Sequence, residues 1–217
     1  MIYQCFRDFC FLRVTIENDR VFTLKNTQVH LFYTAFTHCF LDSYRNRALL
    51  VIGWAAALRR SELVSLGIEH LENTREGLLL NLVRSKTDQK GEGQIVALPF
   101  GSSLLTCPVR LLEAWIEATG LEDGPLFRRI DHHGILGRMT PQSFRLIVKR
   151  CCQSVGMPSE KYGAHSLRSG FCSTAAKTGK AEHQIMKQTR HKRSDSLQRY
   201  IQKVNMFENN AASGIGL

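Results

Sequence analysis

The stretches HSLRSG (residues 165–170) and TRHKRSDSLQRY (residues 189–200) carry the most informative residues of this chain. They bring two histidines, an arginine and a tyrosine into one basic part of the sequence: His165, Arg168, His191 and Tyr200. His165 and Arg168 lie three residues apart in a predicted helix, so their side chains share a face. Taken singly, such residues are more often a capping histidine, a surface arginine or a packed tyrosine. Their meaning depends on the order and spacing of the whole set.

Two upstream segments complete that set. The segment ALRRSEL, residues 57–63, contains Arg59 and Glu62, and the segment SKTDQKG, residues 85–91, contains Lys86 in a predicted turn. The set then comprises two arginines, two histidines, a lysine and a tyrosine. Together these residue types are suited to phosphoryl transfer on DNA without a metal ion.

Charge is concentrated in the second half of the chain. The net charge is +10, and residues 128–203 hold 16 Lys and Arg against 4 Asp and Glu. A solvated basic surface is the plain alternative, but a local excess of this size is typical of a polyanion-binding site. A membrane-binding patch would more often lie on an amphipathic helix with exposed aromatic residues, and the sequence contains no such helix.

Composition places the chain among globular proteins of the cytoplasm. Its 217 residues are 43% hydrophobic, enough for a core, and no apolar run approaches the ~18 residues of a membrane span. Seven cysteines show no metal-ligand spacing, and an odd count without a secretory signal predicts reduced thiols. We therefore expect a cytoplasmic protein without a metal site.

Periodicity and capping residues predict an α+β fold, mainly helical, with one small three-stranded antiparallel sheet. Helices are predicted over 42–58 (capped by Asp42), 61–66 (capped by Ser61), 108–120, 141–155 (capped by Thr140), 165–178, 181–189 and 194–203. Strands are predicted over 68–71, 77–83 and 94–98, separated by turn residues.

The ordered segments resemble the tyrosine recombinases, the phage integrase family, over roughly residues 42–207. Each motif is weak alone, but the ordered set is specific, with the tyrosine nine residues after His191. The resemblance implies the catalytic-domain fold of these DNA breaking and rejoining enzymes. It also implies a site-specific recombinase that works through a 3′-phosphotyrosine intermediate without metal, ATP or other cofactor. The GxxxxGK[ST] nucleotide-binding motif is absent from the sequence.

The resemblance also implies a role for each polar residue. Arg59 and Arg168 would clamp the phosphate, and Tyr200 would be the nucleophile. His165 would be the base or hydrogen-bond partner, Lys86 the general acid, and His191 a phosphate ligand. Glu62 would orient its neighbours. The charge that develops on a pentacoordinate phosphorus explains the need for two fixed guanidiniums.

Double-stranded DNA is the implied partner, with further protomers in a tetrameric synapse and no small-molecule substrate. Besides the catalytic set, basic residues near the motifs are candidates for DNA contact: Arg60, Arg145, Lys149, Arg150, Arg190, Lys192 and Arg193. We expect residues 42–207 to form the catalytic domain and residues 208–217 a loose tail.

Two alternative functions remain open. Ala57 and Arg190 stand where the family mostly has glycine: if the position before His191 needs a positive φ, arginine carries a cost there, whereas its charge could instead contact phosphate. Residues 1–41 are too short for the N-terminal helical domain that closes around DNA in the family. A catalytically impaired DNA-binding fragment is therefore one alternative. Relaxation of DNA in the manner of type IB topoisomerases is the other.

Overall fold

In a computed structural model, the chain is described over residues 40–82, 93–191, 193–195, 197 and 198. The described helices are α1 (Phe40–Ala55), α2 (Arg60–Ser65), α3 (Pro108–Thr119), α4 (Pro141–Ser154), α5 (Ala164–Lys177) and α6 (Glu182–Thr189). The described strands are β1 (Leu71–Asn73), β2 (Gly77–Leu82), β3 (Gln94–Pro99), β4 (Arg128–Asp131) and β5 (Gly134–Arg138). The mixed, mainly helical fold is as predicted.

The three-stranded sheet is confirmed, with strand order β1-β2-β3 and both pairings antiparallel. Its first strand starts later than predicted. Ile68–His70 forms a 3₁₀ turn, in which the ring nitrogen Nδ1 of His70 accepts the Gly67 N–H at 2.8 Å, and β1 begins only at Leu71. A second, antiparallel hairpin of β4 and β5 was not predicted. Its strands are rich in arginine and glycine, which hides any alternation of apolar residues.

Local capping signals succeeded at some helix ends and failed at others. Thr140 caps α4 by accepting the Ser143 N–H, and Gly120 ends α3 in the left-handed conformation, both as predicted. Asp42 is not an N-cap, because α1 already includes Phe40, and Asp42 instead pairs with Arg45 in the first turn. Ser61 is not the cap of α2 either.

Arg59 occupies the N-cap position of α2, and its backbone N–H is satisfied by the Glu62 carboxylate at 2.8 Å. The beginning of α2 is therefore held by a residue of the candidate site.

The last predicted helix, 194–203, is described only in part: Asp195, Leu197 and Gln198 are helical.

Two apolar clusters support the site. The larger one buries the middle of α1 against α3, α4, α5 and the sheet, with Trp115, Phe127 and Phe144 fully enclosed. The smaller one joins α5 and α6 through Cys172, Ala175, Ile185 and Leu197. Because Leu197 is fully buried there, the segment that follows His191 is anchored on the same helices that carry the site residues. Among the described residues, no helix combines the length and apolar character that crossing a membrane requires.

Candidate active site

The carbonyl groups at the end of α1 organise the site. The last carbonyls of a helix lack partners within the helix and carry partial negative charge, so they favour cationic or amide donors. Here Gln188 donates to the Ala55 carbonyl at 2.9 Å, and Arg168 donates to the Ala57 carbonyl at 2.6 Å. Ala57, whose carbonyl accepts from Arg168, has a positive φ of 47°. The end of α1 is thereby joined to α5 and α6.

Arg168 is buried and held by two backbone carbonyls. One nitrogen of its guanidinium donates to Ala57, and the other donates to the carbonyl of Thr189. Burial and the nearby positive charges of Arg59 and Arg190 lower the pKa of Arg168 to about 10. The group therefore stays charged at neutral pH, in a fixed orientation close to two other guanidiniums.

Glu62 lies between two arginines and is only 2% exposed. Its Oε1 lies 2.5 Å from Nη1 of Arg59, and its Oε2 lies 2.7 Å from Nη2 of Arg190. Burial alone would raise the pKa of Glu62, but the two arginines outweigh it and lower that pKa. Three guanidiniums around one carboxylate leave an excess of positive charge, which favours an anionic ligand.

His165 and His191 complete the cluster of described residues. His165 is exposed on α5, where partial desolvation by the surrounding protein and the charge of Arg168 lower its pKa. His191 is half-buried, and burial followed by the charges of Arg168, Arg59 and Arg190 and by His165 lowers its pKa to about 4. Both rings are therefore neutral at neutral pH and able to accept a proton.

Thr189 sets the tautomer of His191, a role that sequence reasoning missed. The Thr189 hydroxyl donates its single proton to the Ile185 carbonyl at 2.7 Å. Its oxygen, 2.7 Å from Nδ1 of His191, must then accept a hydrogen bond from that nitrogen. Neutral His191 consequently carries its proton on Nδ1 and leaves Nε2 as an acceptor. In the sequence, this contact is indicated by the threonine that lies two residues before the histidine.

A cavity of about 320 Å³ opens beside the cluster. Its polar lining comes from Arg59, Arg60, Arg145 and His165, and Leu58, Gly163 and Ala164 complete the wall. Arg60 and Arg145 are exposed, so their charges reach both the cavity and solvent. The cavity thus combines two candidate catalytic residues with two candidate DNA contacts.

The remaining candidates fall into three groups. On α4, Lys149 is half-buried and Arg150 is exposed, and Arg193 is exposed beyond α6. The side chain of Arg190 points inward, since only 6% of it is exposed. Lys86, Lys192 and Tyr200 lie outside the described residues. Within the described ranges, no three or more His, Cys, Asp or Glu side chains are grouped closely enough to hold a metal ion.

The lowered histidine pKa values predict acid sensitivity. As the pH falls below 6.5, the unfolded state binds more protons at His191 and His165 than the folded state does, so the free energy of unfolding should decrease. Urea unfolding at several pH values should show a smaller decrease for His191→Gln than for the wild type. Equal decreases would contradict a lowered pKa for His191.

Comparison with known proteins finds relatives of this chain. Residues 23–206 match the model of the phage integrase family. An integrase/recombinase xerD homolog of Selenomonas ruminantium is 37% identical over 79% of this chain and 51% of its own length. A tyrosine recombinase XerC of Rickettsia typhi is 31% identical over 73% of this chain and 47% of its own. The chain thus spans about half the length of the curated relatives it matches.

Solved structures with a similar fold are also recombinases. The XerH site-specific recombinase in a post-cleavage complex with its difH substrate superposes with a TM-score of 0.67 at 18% identity, over 88% of this chain and 51% of that one. A lambda integrase dimer bound to a COC′ core site gives a TM-score of 0.62 at 15% identity, over 87% and 50%. With its family match, its relatives and its fold in agreement, the chain belongs to the phage integrase family of tyrosine recombinases.

Proposed function

We propose that residues 42–207 form the catalytic domain of a site-specific DNA recombinase that works through a 3′-phosphotyrosine intermediate and needs neither metal nor ATP. The main support for this proposal is that Arg59 and Arg168, which are far apart in sequence, lie in one cluster with His165, His191 and the Glu62 carboxylate. Such a cluster suits a phosphate diester that gains negative charge during reaction.

In the proposed reaction, the phenol oxygen of Tyr200 attacks phosphorus and the bond to the 5′ oxygen breaks. Arg59 and Arg168 stabilise the charge on the non-bridging oxygens. His165 accepts the phenol proton, and Lys86 donates a proton to the departing 5′ oxygen. The phosphodiester bond energy is kept in the protein link, so a 5′ hydroxyl from another strand can reverse the step.

His191 has a role that depends on its tautomer. With Nδ1–H donated to Thr189, its Nε2 has no proton to donate to a phosphate oxygen. An incoming phosphate raises the pKa of a nearby imidazole, because opposite charge favours the protonated form. We therefore propose that His191 gains a proton on Nε2 as the phosphate arrives, and then donates a hydrogen bond to it.

Duplex DNA is the proposed substrate, because three of the residues that line the cavity are arginines, which favour an anionic ligand. The solved relatives include recombinases bound to DNA and a DNA-bound dimer, and we extend both properties to this chain. Recombination between two duplexes would then join several protomers, which we propose as a tetrameric synapse.

DNA affinity should fall steeply with salt, since each phosphate contact contributes a slope of about −0.9 in log K against log salt. Arg145→Ala and Arg60→Ala should each make that slope less negative by about one. Arg110→Ala is the matched control, because Arg110 is an exposed arginine that does not line the cavity. A slope that is the same for all three variants and the wild type would contradict phosphate contact at the cavity.

A nicked suicide substrate tests the whole proposal. Cleavage near the nick releases a short fragment, so religation fails and a covalent protein–DNA adduct accumulates. We expect an adduct that forms in the presence of EDTA and maps to Tyr200 by peptide analysis. DNA binding without any adduct would favour an impaired DNA-binding fragment of the same fold. Relaxation of plasmids that lack a specific site would favour activity of the topoisomerase kind.

A further inference from the structure

Arg190 occupies a backbone conformation that an arginine rarely adopts. It ends α6 with φ of 59° and ψ of 38°, directly before His191. A side chain with a Cβ is disfavoured in this left-handed region, where glycine fits without strain. Arginine therefore has a strained backbone at this position, and the contacts of its side chain offset that strain.

The Arg190 guanidinium binds acceptor groups inside the protein. It lies 2.7 Å from the Glu62 carboxylate, 3.2 Å from the Ala56 carbonyl and 3.1 Å from the Gln188 carbonyl. Only 6% of its side chain and 2% of that of Glu62 are exposed. A DNA phosphate contact would have to compete with this buried ion pair.

Glu62 connects Arg190 to Arg59. Its two carboxylate oxygens bind different arginines, Oε1 to Arg59 and Oε2 to Arg190. Oε2 also accepts the backbone N–H of Arg59 at 2.8 Å. Together with the Arg59 N–H, the bond to Arg190 therefore fixes the rotation of the carboxylate, and with it the direction of the Arg59 guanidinium.

We propose that Arg190 is a positioning residue that locks Glu62 and thereby aims Arg59 at the phosphate. The same side chain ties the segment that leads into His191 to the end of α1 through the Ala56 carbonyl. This inference rests on the proposed function for its consequence in catalysis. The positioning of Arg59 itself is measurable without DNA.

The first test is nuclear magnetic resonance of the free protein. Hindered rotation about the Nε–Cζ bond of Arg59 reports how firmly its guanidinium is held. We expect Arg190→Gly to release that rotation, Arg190→Lys to retain part of the hindrance, and the exposed control Arg193→Gly to leave it unchanged. Glycine fits the left-handed backbone, so the first variant should fold. An Arg59 guanidinium held equally firmly in Arg190→Gly and the wild type would overturn the proposal, whatever the activity.

The second test is single-turnover cleavage of the nicked substrate at saturating DNA. Arg190→Gly should slow cleavage by 10-fold to 10²-fold, on the order expected for a misplaced catalytic group. Its salt dependence of DNA binding should not change, whereas Arg145→Ala should reduce that dependence, and Arg110→Ala, at an exposed arginine that does not line the cavity, should change neither the dependence nor the rate. Arg190→Gly combined with Glu62→Gln should be no slower than the slower single variant, because both act through one contact. A reduced salt slope with an unchanged rate in Arg190→Gly would instead make Arg190 a DNA contact.

The two tests separate the two proposals. Release of Arg59 in a protein that forms no adduct, even as the wild type, would reject the proposed function and leave the positioning role of Arg190 intact. Cleavage by the wild type without release of Arg59 in Arg190→Gly would do the reverse.

Discussion

Replacing Arg168 with lysine is expected to lower the rate of covalent strand cleavage by a factor on the order of 10² to 10³. The guanidinium of Arg168 is held by the carbonyls of Ala57 and Thr189, and its planar shape fixes the direction of the remaining N–H groups. A lysine keeps one positive charge, but its ammonium is a point donor without that fork. It can satisfy the carbonyls or the phosphate, but it cannot do both with the same geometry.

The measurement is single-turnover adduct formation at saturating DNA, together with urea unfolding. Arg168→Lys should retain most of the unfolding free energy, since a cation still faces the two carbonyls. Arg168→Ala should lose about 2 kcal/mol or more, because the Thr189 carbonyl would lose the Arg168 donor and the Ala57 carbonyl would keep only the 3.5 Å bond from Arg190. Arg193→Lys is the matched control at an exposed arginine and should cleave as fast as the wild type. A cleavage rate for Arg168→Lys within about threefold of the wild type would remove Arg168 from the proposed mechanism.

The helix ends that were predicted correctly depend on their own neighbours. Thr140 with Pro141 and the glycine at residue 120 act within one turn of the helix they bound, so the sequence around them contains the whole reason. Asp42 and Ser61 carried the same signal and were wrong. Asp42 pairs with Arg45 within the helix, and Ser61 lies inside α2, whose N-cap residue Arg59 donates its backbone N–H to Glu62.

The candidate site, like the helix ends, was predicted only in part. The order of the motifs predicted which residues belong together, and Arg59, His165, Arg168 and His191 do form one cluster. The contacts that hold Arg168 could not be predicted, because its partners are the backbone carbonyls of Ala57 and Thr189. Sequence patterns say nothing about which distant side chain reaches such a carbonyl. For the same reason, Arg190 looked like a DNA contact although its charge is directed at Glu62.

The Tyr200→Phe variant is expected to form no covalent adduct while it binds DNA with unchanged affinity. The substitution removes one oxygen atom, the proposed nucleophile, and keeps the aromatic ring. Folding should be unaffected, because the neighbouring Leu197 already anchors this segment in the cluster of α5 and α6. Tyr44→Phe serves as the control, since it removes a hydroxyl from α1 and should form adduct as the wild type does. Adduct in Tyr200→Phe at the wild-type level would falsify the assignment of the nucleophile.

A mixture of Tyr200→Phe and Arg168→Lys protomers tells which chain supplies the tyrosine. If each site uses its own Tyr200, neither protomer has both an intact clamp and a nucleophile, and the mixture should stay inactive. If a neighbouring protomer supplies Tyr200, an intact clamp on Tyr200→Phe would activate the tyrosine of Arg168→Lys, and adduct should appear on the latter chain alone. We expect the inactive mixture, because Leu197 fixes the segment before Tyr200 against α5 and α6, the same two helices that carry His165, Arg168 and Thr189. A size tag on one of the two variants distinguishes the two adducts by electrophoresis.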